Sequence, residues 1–188
     1  FYESFAARNQ PDPRLQLEAA RAYRRVALLR ARMGEADAAD DAYARALERL
    51  ERLRAERPDD PTYAHELALT LLDASLVGAE LGGERLPVAE ARARRALTLV
   101  DERPELRAIG QARHAVALAR LGRDDEARAA LTAAAATRET IPAEPPAEDG
   151  PGRVPSRGGR RGYVGLELMR ATEALADALI SRGAHADA

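Results

Sequence analysis

Residues 21–58, RAYRRVALLRARMGEADAADDAYARALERLERLRAERP, describe two helical arms that reverse at Gly34 and stop at Pro58. Tyr23, Val26 and Ala27 lie on the first arm, and Ala39, Tyr43, Ala46 and Leu47 on the second. Glycine takes the left-handed conformation that closes a helix at little cost, so Gly34 ends one arm and frees the chain to start the next. A turn of one or two residues leaves the arms no choice but to pack as antiparallel neighbours.

Outward from that turn, the same grammar recurs. Asp12-Pro13 opens the first arm: the carboxylate can accept from free first-turn amides, and proline suits the first helical position. Leu15, Ala19, Ala22, Val26, Leu29 and Met33 then step by four and three, which predicts one apolar stripe facing the core. The second arm carries Ala39, Tyr43, Ala46, Leu50 and Leu53, with Asp37, Asp40 and Asp41 near its positive end. Asp60-Pro61 repeats the start signal 48 residues after Asp12-Pro13. A third helix with Leu67, Leu71 and Leu72 follows, stopped at Gly82-Gly83, and Pro87 begins a fourth with Ala89, Ala93 and Ala96. Pro104 opens a fifth, with Ile109, Ala112, Val116 and Ala119 on its stripe, closed at Gly122. The sixth, from Asp124 to Arg138, has few large apolar groups and is expected to bury least.

The expectation is an all-α, right-handed array of antiparallel helical hairpins with about seven helices. Residues 1–12 are the end of an upstream helix, with Phe1 and Phe5 on one face; 13–138 form three hairpins. Residues 139–162 form a linker rich in Pro, Gly and Arg, and 163–188 a final helix, ended at Gly183, and a tail.

Composition narrows the chemistry. Aromatics are 4% against 46% apolar residues, so the core must be alanine and leucine packed closely. The 31 acids nearly cancel the 29 bases, and no global charge draws the chain to nucleic acid. All the bases are Arg, a bias that a GC-rich coding sequence explains. Cysteine is absent, which excludes disulfides, thiol nucleophiles and zinc–thiolate sites and is compatible with a reducing compartment, so a cytoplasmic location is expected. No apolar run approaches the ~20 residues of a membrane span. The chain shows no signal peptide and starts without Met, as an excised piece of a longer protein would.

Around Gly34 and Gly122 the chain resembles the tetratricopeptide repeat. A small residue five positions after the glycine, a large one four later and a small one three after that are Ala39, Tyr43 and Ala46, then Ala127, Leu131 and Ala134. Around Gly83 the residues Ala89, Ala93 and Ala96 are displaced by one, and no large ring is present. The glycine intervals of 49, 39 and 61 depart from the family period of about 34. The first hairpin also looks like the repeat segments that trail bacterial serine/threonine kinases, which would make the chain a regulatory or sensor segment of a signalling protein.

The resemblance implies a non-catalytic interaction scaffold with no cofactor, whose first helices line a concave groove for a peptide or partner protein. The residues expected there are Arg21, Arg24, Leu28 and Arg32, then Glu66, Thr70, Asp73 and Val77, then Ala112, Val116 and Arg120, then Arg170, Glu173 and Asp177. Arg21, Arg24, Arg32, Glu66, Asp73, Arg120 and Arg170 are the candidate contacts, a mixed-charge set suited to a peptide carrying both signs. An unpaired seventh helix would also offer a homodimer surface. No catalytic or metal site emerges: His65, His114 and His185 are far apart, and Ser75 and Ser181 lack a nucleophile-elbow setting. Gly158, Gly159, Gly162 and Gly165 lack the strand and Lys of a phosphate loop. Arg153, Arg157, Arg160 and Arg161 are read as a solvated linker and not as a nucleic-acid site.

Overall fold

The computed structural model describes residues 12–100, 103–142 and 159–186. Every regular element among them is helical: α1 (Pro13–Arg32), α2 (Ala36–Glu56), α3 (Pro61–Leu81), a 3₁₀ turn (Gly83–Arg85), α4 (Leu86–Leu97), α5 (Pro104–Arg120), α6 (Asp124–Glu139) and α7 (Gly159–Ala186). They pair as hairpins α1/α2, α3/α4 and α5/α6, and α7 lies against both α5 and α6. The first arms also touch in series, α1 on α3, α3 on α5 and α5 on α7. The all-α hairpin array expected from the sequence is what the chain forms.

Local chemistry sets the boundaries. Asp12 accepts from the Arg14 amide and Asp60 from the Thr62 amide, both at 2.9 Å, and Pro13 and Pro61 occupy the first helical positions. Gly34 and Gly122 share φ of 79°. The following amides reach back five residues, Glu35 to the Arg30 carbonyl and Arg123 to the Leu118 carbonyl, both at 2.9 Å. The Gly82-Gly83 reversal is different. Gly82 caps α3 and the chain winds through a 3₁₀ turn before α4 begins, which is why the alanines of α4 fall out of step with those of α2.

Small residues sit where helices cross. Ala39, Ala46, Ala89, Ala93, Ala96, Ala127 and Ala134 are fully buried. A Cβ on Gly78 would come within 3.2 Å of the Ala89 Cβ, so α3 and α4 approach almost backbone to backbone, and the Ser75 hydroxyl donates to the Ala89 carbonyl at 2.7 Å. The large side chains of α2, Tyr43 and Leu50, fill the spaces beside these crossings. Helix α6 buries little, only Ala127 and Ala134 completely, but it does not stand alone as the least buried element, because the longer α1 also buries only Ala20 and Ala27.

Several expectations need correction. On α1 the buried residues are Ala20 and Ala27, and Leu15, Ala22, Val26, Leu29 and Met33 of the expected core stripe are exposed. The array buries the smaller residues because α1 must lie close to its neighbours. The bounds expected for a linker, 139–162, do not hold at either end: Glu139 is helical, Ile141 is buried in the central core, and α7 starts at Gly159. Gly183 does not end α7, which continues to Ala186. The segment before Asp12, with Phe1 and Phe5, and the stretch 143–158, with Arg153 and Arg157, lie outside the described residues.

Candidate functional site

The first arms contribute charged side chains to one line that crosses the array. On α1, Arg21 donates to Glu66 of α3 from Nε at 2.8 Å and from Nη2 at 2.6 Å, and to Glu18 at 2.7 Å. Hydrogen bonds to Glu66 and then to Glu18 raise the pKa of Arg21. Arg24, one turn on, approaches the other Glu66 oxygen at 3.5 Å and Asp73 at 3.8 Å. Asp73 accepts from Arg113 of α5 at 2.9 Å. Arg113 donates to Glu167 of α7 from Nε at 3.2 Å and Nη2 at 3.4 Å, and Arg170 reaches Glu167 at 3.5 Å.

The order across the array is Arg21, Glu66, Arg24, Asp73, Arg113, Glu167, Arg170: strict alternation of sign over four helices. Its centre is buried, with Arg113 at 6% and Glu167 at 2% side-chain exposure, while Arg170 is half-exposed. Burial alone would lower the Arg113 pKa. Glu167 and Asp73 more than offset that, so the guanidinium stays charged.

Arg21, Arg24, Glu66, Asp73 and Arg170 of the sequence-derived set therefore meet in one network. Arg32 and Arg120 do not: both are exposed and outside it. Ala112 and Val116 are core residues of α5, and Thr70 and Val77 are buried on α3, so none of these lines a groove. Glu173 and Asp177 are exposed on α7, outside the ladder. Arg113 and Glu167 were missed. The usable signal is distance from the turn glycine: Asp73 precedes Gly82 by nine residues and Arg113 precedes Gly122 by nine. On α5 the apolar period conceals this, because nearly every side of the helix is buried.

The second arms carry a parallel set of pairs. Arg85 bonds both Asp37 and Asp40 of α2, the latter at 2.8 Å, Arg92 approaches Asp40 at 3.5 Å, and Arg95 bonds Glu51 at 2.6 Å. Glu90 of α4 is buried and takes Nε2 of His114 at 2.9 Å, with Arg94 and Arg123 at 3.6 and 3.8 Å. His114 is thus a partner of a buried carboxylate on the core side of α5. His65 packs its Nδ1 away from solvent without a hydrogen-bond partner among the described residues, and burial, assisted by Arg103, lowers its pKa. His185 falls in the last turn of α7. Among the described residues no group of three His, Cys, Asp or Glu side chains is placed to hold a metal ion, and no helix is long and apolar enough to cross a membrane.

The seventh helix uses its expected apolar face internally. Val164, Ala171 and Leu175 are buried, Leu168 packs on the clusters around them, and Leu166, Met169 and Ile180 remain exposed. No protein-family model, curated protein or solved structure matches this chain.

Proposed function

We propose that this chain is a non-catalytic scaffold that holds a peptide or partner-protein segment along the charged face shared by α1, α3, α5 and α7. The observation that carries the reading is the alternating line from Arg21 to Arg170, which spans all four first arms. The tetratricopeptide resemblance supports it, because first arms line the groove in that family.

The ladder is already paired within the chain, so it does not behave as a clamp of bare charges. A ligand gains only from the parts left in water: Arg21, Arg24 and Asp73 are partly exposed and Arg170 half-exposed. Exposed ion pairs are each worth about 0–1 kcal/mol, so affinity must come from several at once. The ligand that fits is an extended segment of alternating sign, with acids beside Arg21 and Arg170 and a base beside Asp73. Like charges set against the ladder would be rejected, which gives register and specificity more than raw strength.

Selection from a displayed random-peptide library tests this. Wild-type protein should enrich peptides of alternating charge. Arg21→Gln and Arg170→Gln should each lose that enrichment, and Arg32→Gln, outside the ladder, should retain it. Enrichment indifferent to Arg21 and Arg170, or none with alternating charge, would refute the proposal.

A further inference from the structure

Two helices carry an apolar stripe on the side that faces water. On α1 it runs Leu15, Ala19, Ala22, Val26 and Leu29, in steps of four and three. Leu15, Val26 and Leu29 are 67%, 41% and 58% exposed. On α7 it runs Leu166, Met169, Glu173, Ala176 and Ile180, in steps of three and four. Leu166, Met169 and Ile180 are 40%, 54% and 70% exposed, and Glu173 and Ala176 are exposed with them. Alternate threes and fours are the spacing of the seam in a two-helix coiled coil. The two helices stand at opposite ends of the array: among the described residues α1 contacts α2 and α3, and α7 contacts α5 and α6.

Laid antiparallel, the two stripes match layer for layer. Leu15 meets Ile180 at one end and Leu29 meets Leu166 at the other, with Val26 on Met169 and Ala22 on Glu173 between them. Glu173 is the one charge in the seam. Its opposite number, Ala22, is small, and Arg25 stands one turn along the same exposed face of α1, within reach of the carboxylate. Within the chain, the corresponding face of α3 already takes a helix in this way: Leu67, Ala74 and Val77 are buried against Leu50, Ala42 and Tyr43 of α2.

We propose that copies of this chain associate end to end, α7 of one lying antiparallel on the exposed face of α1 of the next, with Glu173 paired to Arg25. Charge selects this pairing over either helix with itself. Two α1 faces set Arg25 against Arg25 across the twofold axis, even though Glu18 and Arg32 complement one another on either side. Two α7 faces seat Glu173 in an apolar layer and bring both Glu173 carboxylates within a turn of each other. Only α7 on α1 gives each its opposite. The contact joins two different surfaces, so every copy offers one of each, and the assembly either closes into a ring or continues as a chain. The seam from Leu15 to Leu29 covers about 21 Å. A single helix pair of that length falls below the ~1,200 Å² of a stable complex, so association is weak and depends on concentration.

Sedimentation velocity on the full 188-residue chain over a concentration series tests this. The weight-average mass should rise with concentration above that of one chain. Arg25→Glu and Glu173→Arg should each weaken association by about tenfold or more, since each sets like charges together. Both positions are exposed, so circular dichroism should show the helices intact. An equal mixture of the two variants should regain wild-type association, because each then offers the other an opposite charge at both joints. A chain that stays monomeric at every concentration would overturn the proposal. So would a loss with Arg25→Glu alone, which would pair α1 with itself, or with Glu173→Arg alone, which would pair α7 with itself. A mixture no better than its components would overturn it as well.

Discussion

Replacing Arg113 with Met should loosen the last helix and lower the stability of the fold. Arg113 ties α3 to α7 from the middle of α5, bonding Asp73 at 2.9 Å and Glu167 at 3.2 Å, and its side chain is 6% exposed. Methionine fills much of the same space, so the loss is chiefly electrostatic. Asp73 is partly exposed and keeps Arg24 at 3.8 Å. Glu167 is 2% exposed and keeps only the longer approach of Arg170 among the contacts described, so it becomes a buried carboxylate with inadequate compensation. Removing one partner of a buried pair costs about 3–5 kcal/mol. Total stability is typically about 5–15 kcal/mol. At about 2–4 °C per kcal/mol for a chain of this size, Tm should fall by about 6–20 °C.

Urea unfolding followed by circular dichroism measures the loss, and hydrogen exchange should show α7 opening before α1–α4. Arg113→Met combined with Glu167→Met should recover most of the stability, since a packed apolar pair commonly replaces a buried ion pair at little cost. Arg95→Met, which breaks the exposed pair with Glu51, serves as the reference and should cost about 0–1 kcal/mol. If Arg113→Met costs no more than Arg95→Met, or if the double replacement is worse than the single one, the buried ladder does not hold the first arms together.

Three further outcomes follow from single sites. Gly34→Ala should lower stability by about 1–2 kcal/mol in urea titration, because φ of 79° forces a Cβ against the following carbonyl, although nothing else lies within 4 Å. Tyr43→Phe should leave Tm unchanged or raise it: the hydroxyl is buried with no hydrogen-bond partner among the described residues, and burial pushes its pKa up, so the group is neutral and carries a desolvation cost. His65 is held below its ordinary pKa of 6.5 by burial and then by Arg103, so the folded state favours the neutral ring. Its contribution is complete above pH 6.5 and is lost as pH falls through the depressed folded value, so His65→Gln should reduce the acid sensitivity of the urea midpoint in that window.

What the sequence determined by itself was local. Asp-Pro starts and single-glycine reversals act within four or five residues, through caps and left-handed turns, so helix number and order were legible without any tertiary contact. The alanine crossings at Ala39, Ala46, Ala127 and Ala134 were legible too, because only small residues permit close approach. The candidate site was half visible: charges at the right depth on α1, α3 and α7 pointed to Arg21, Arg24, Glu66, Asp73 and Arg170.

Only the tertiary structure decided the rest. A helix with two apolar sides does not say which one is inward; on α1 the larger side chains suggested one side, and the need for close packing chose the other, Ala20 and Ala27. Helix α5 is buried almost all round, so its period carries no phase, and Arg113 could not be told from a surface arginine until α3 and α7 brought carboxylates to it. Periodicity reports how a helix faces water, and a charge pair between helices 40 and 54 residues apart is set by how those helices stack on one another.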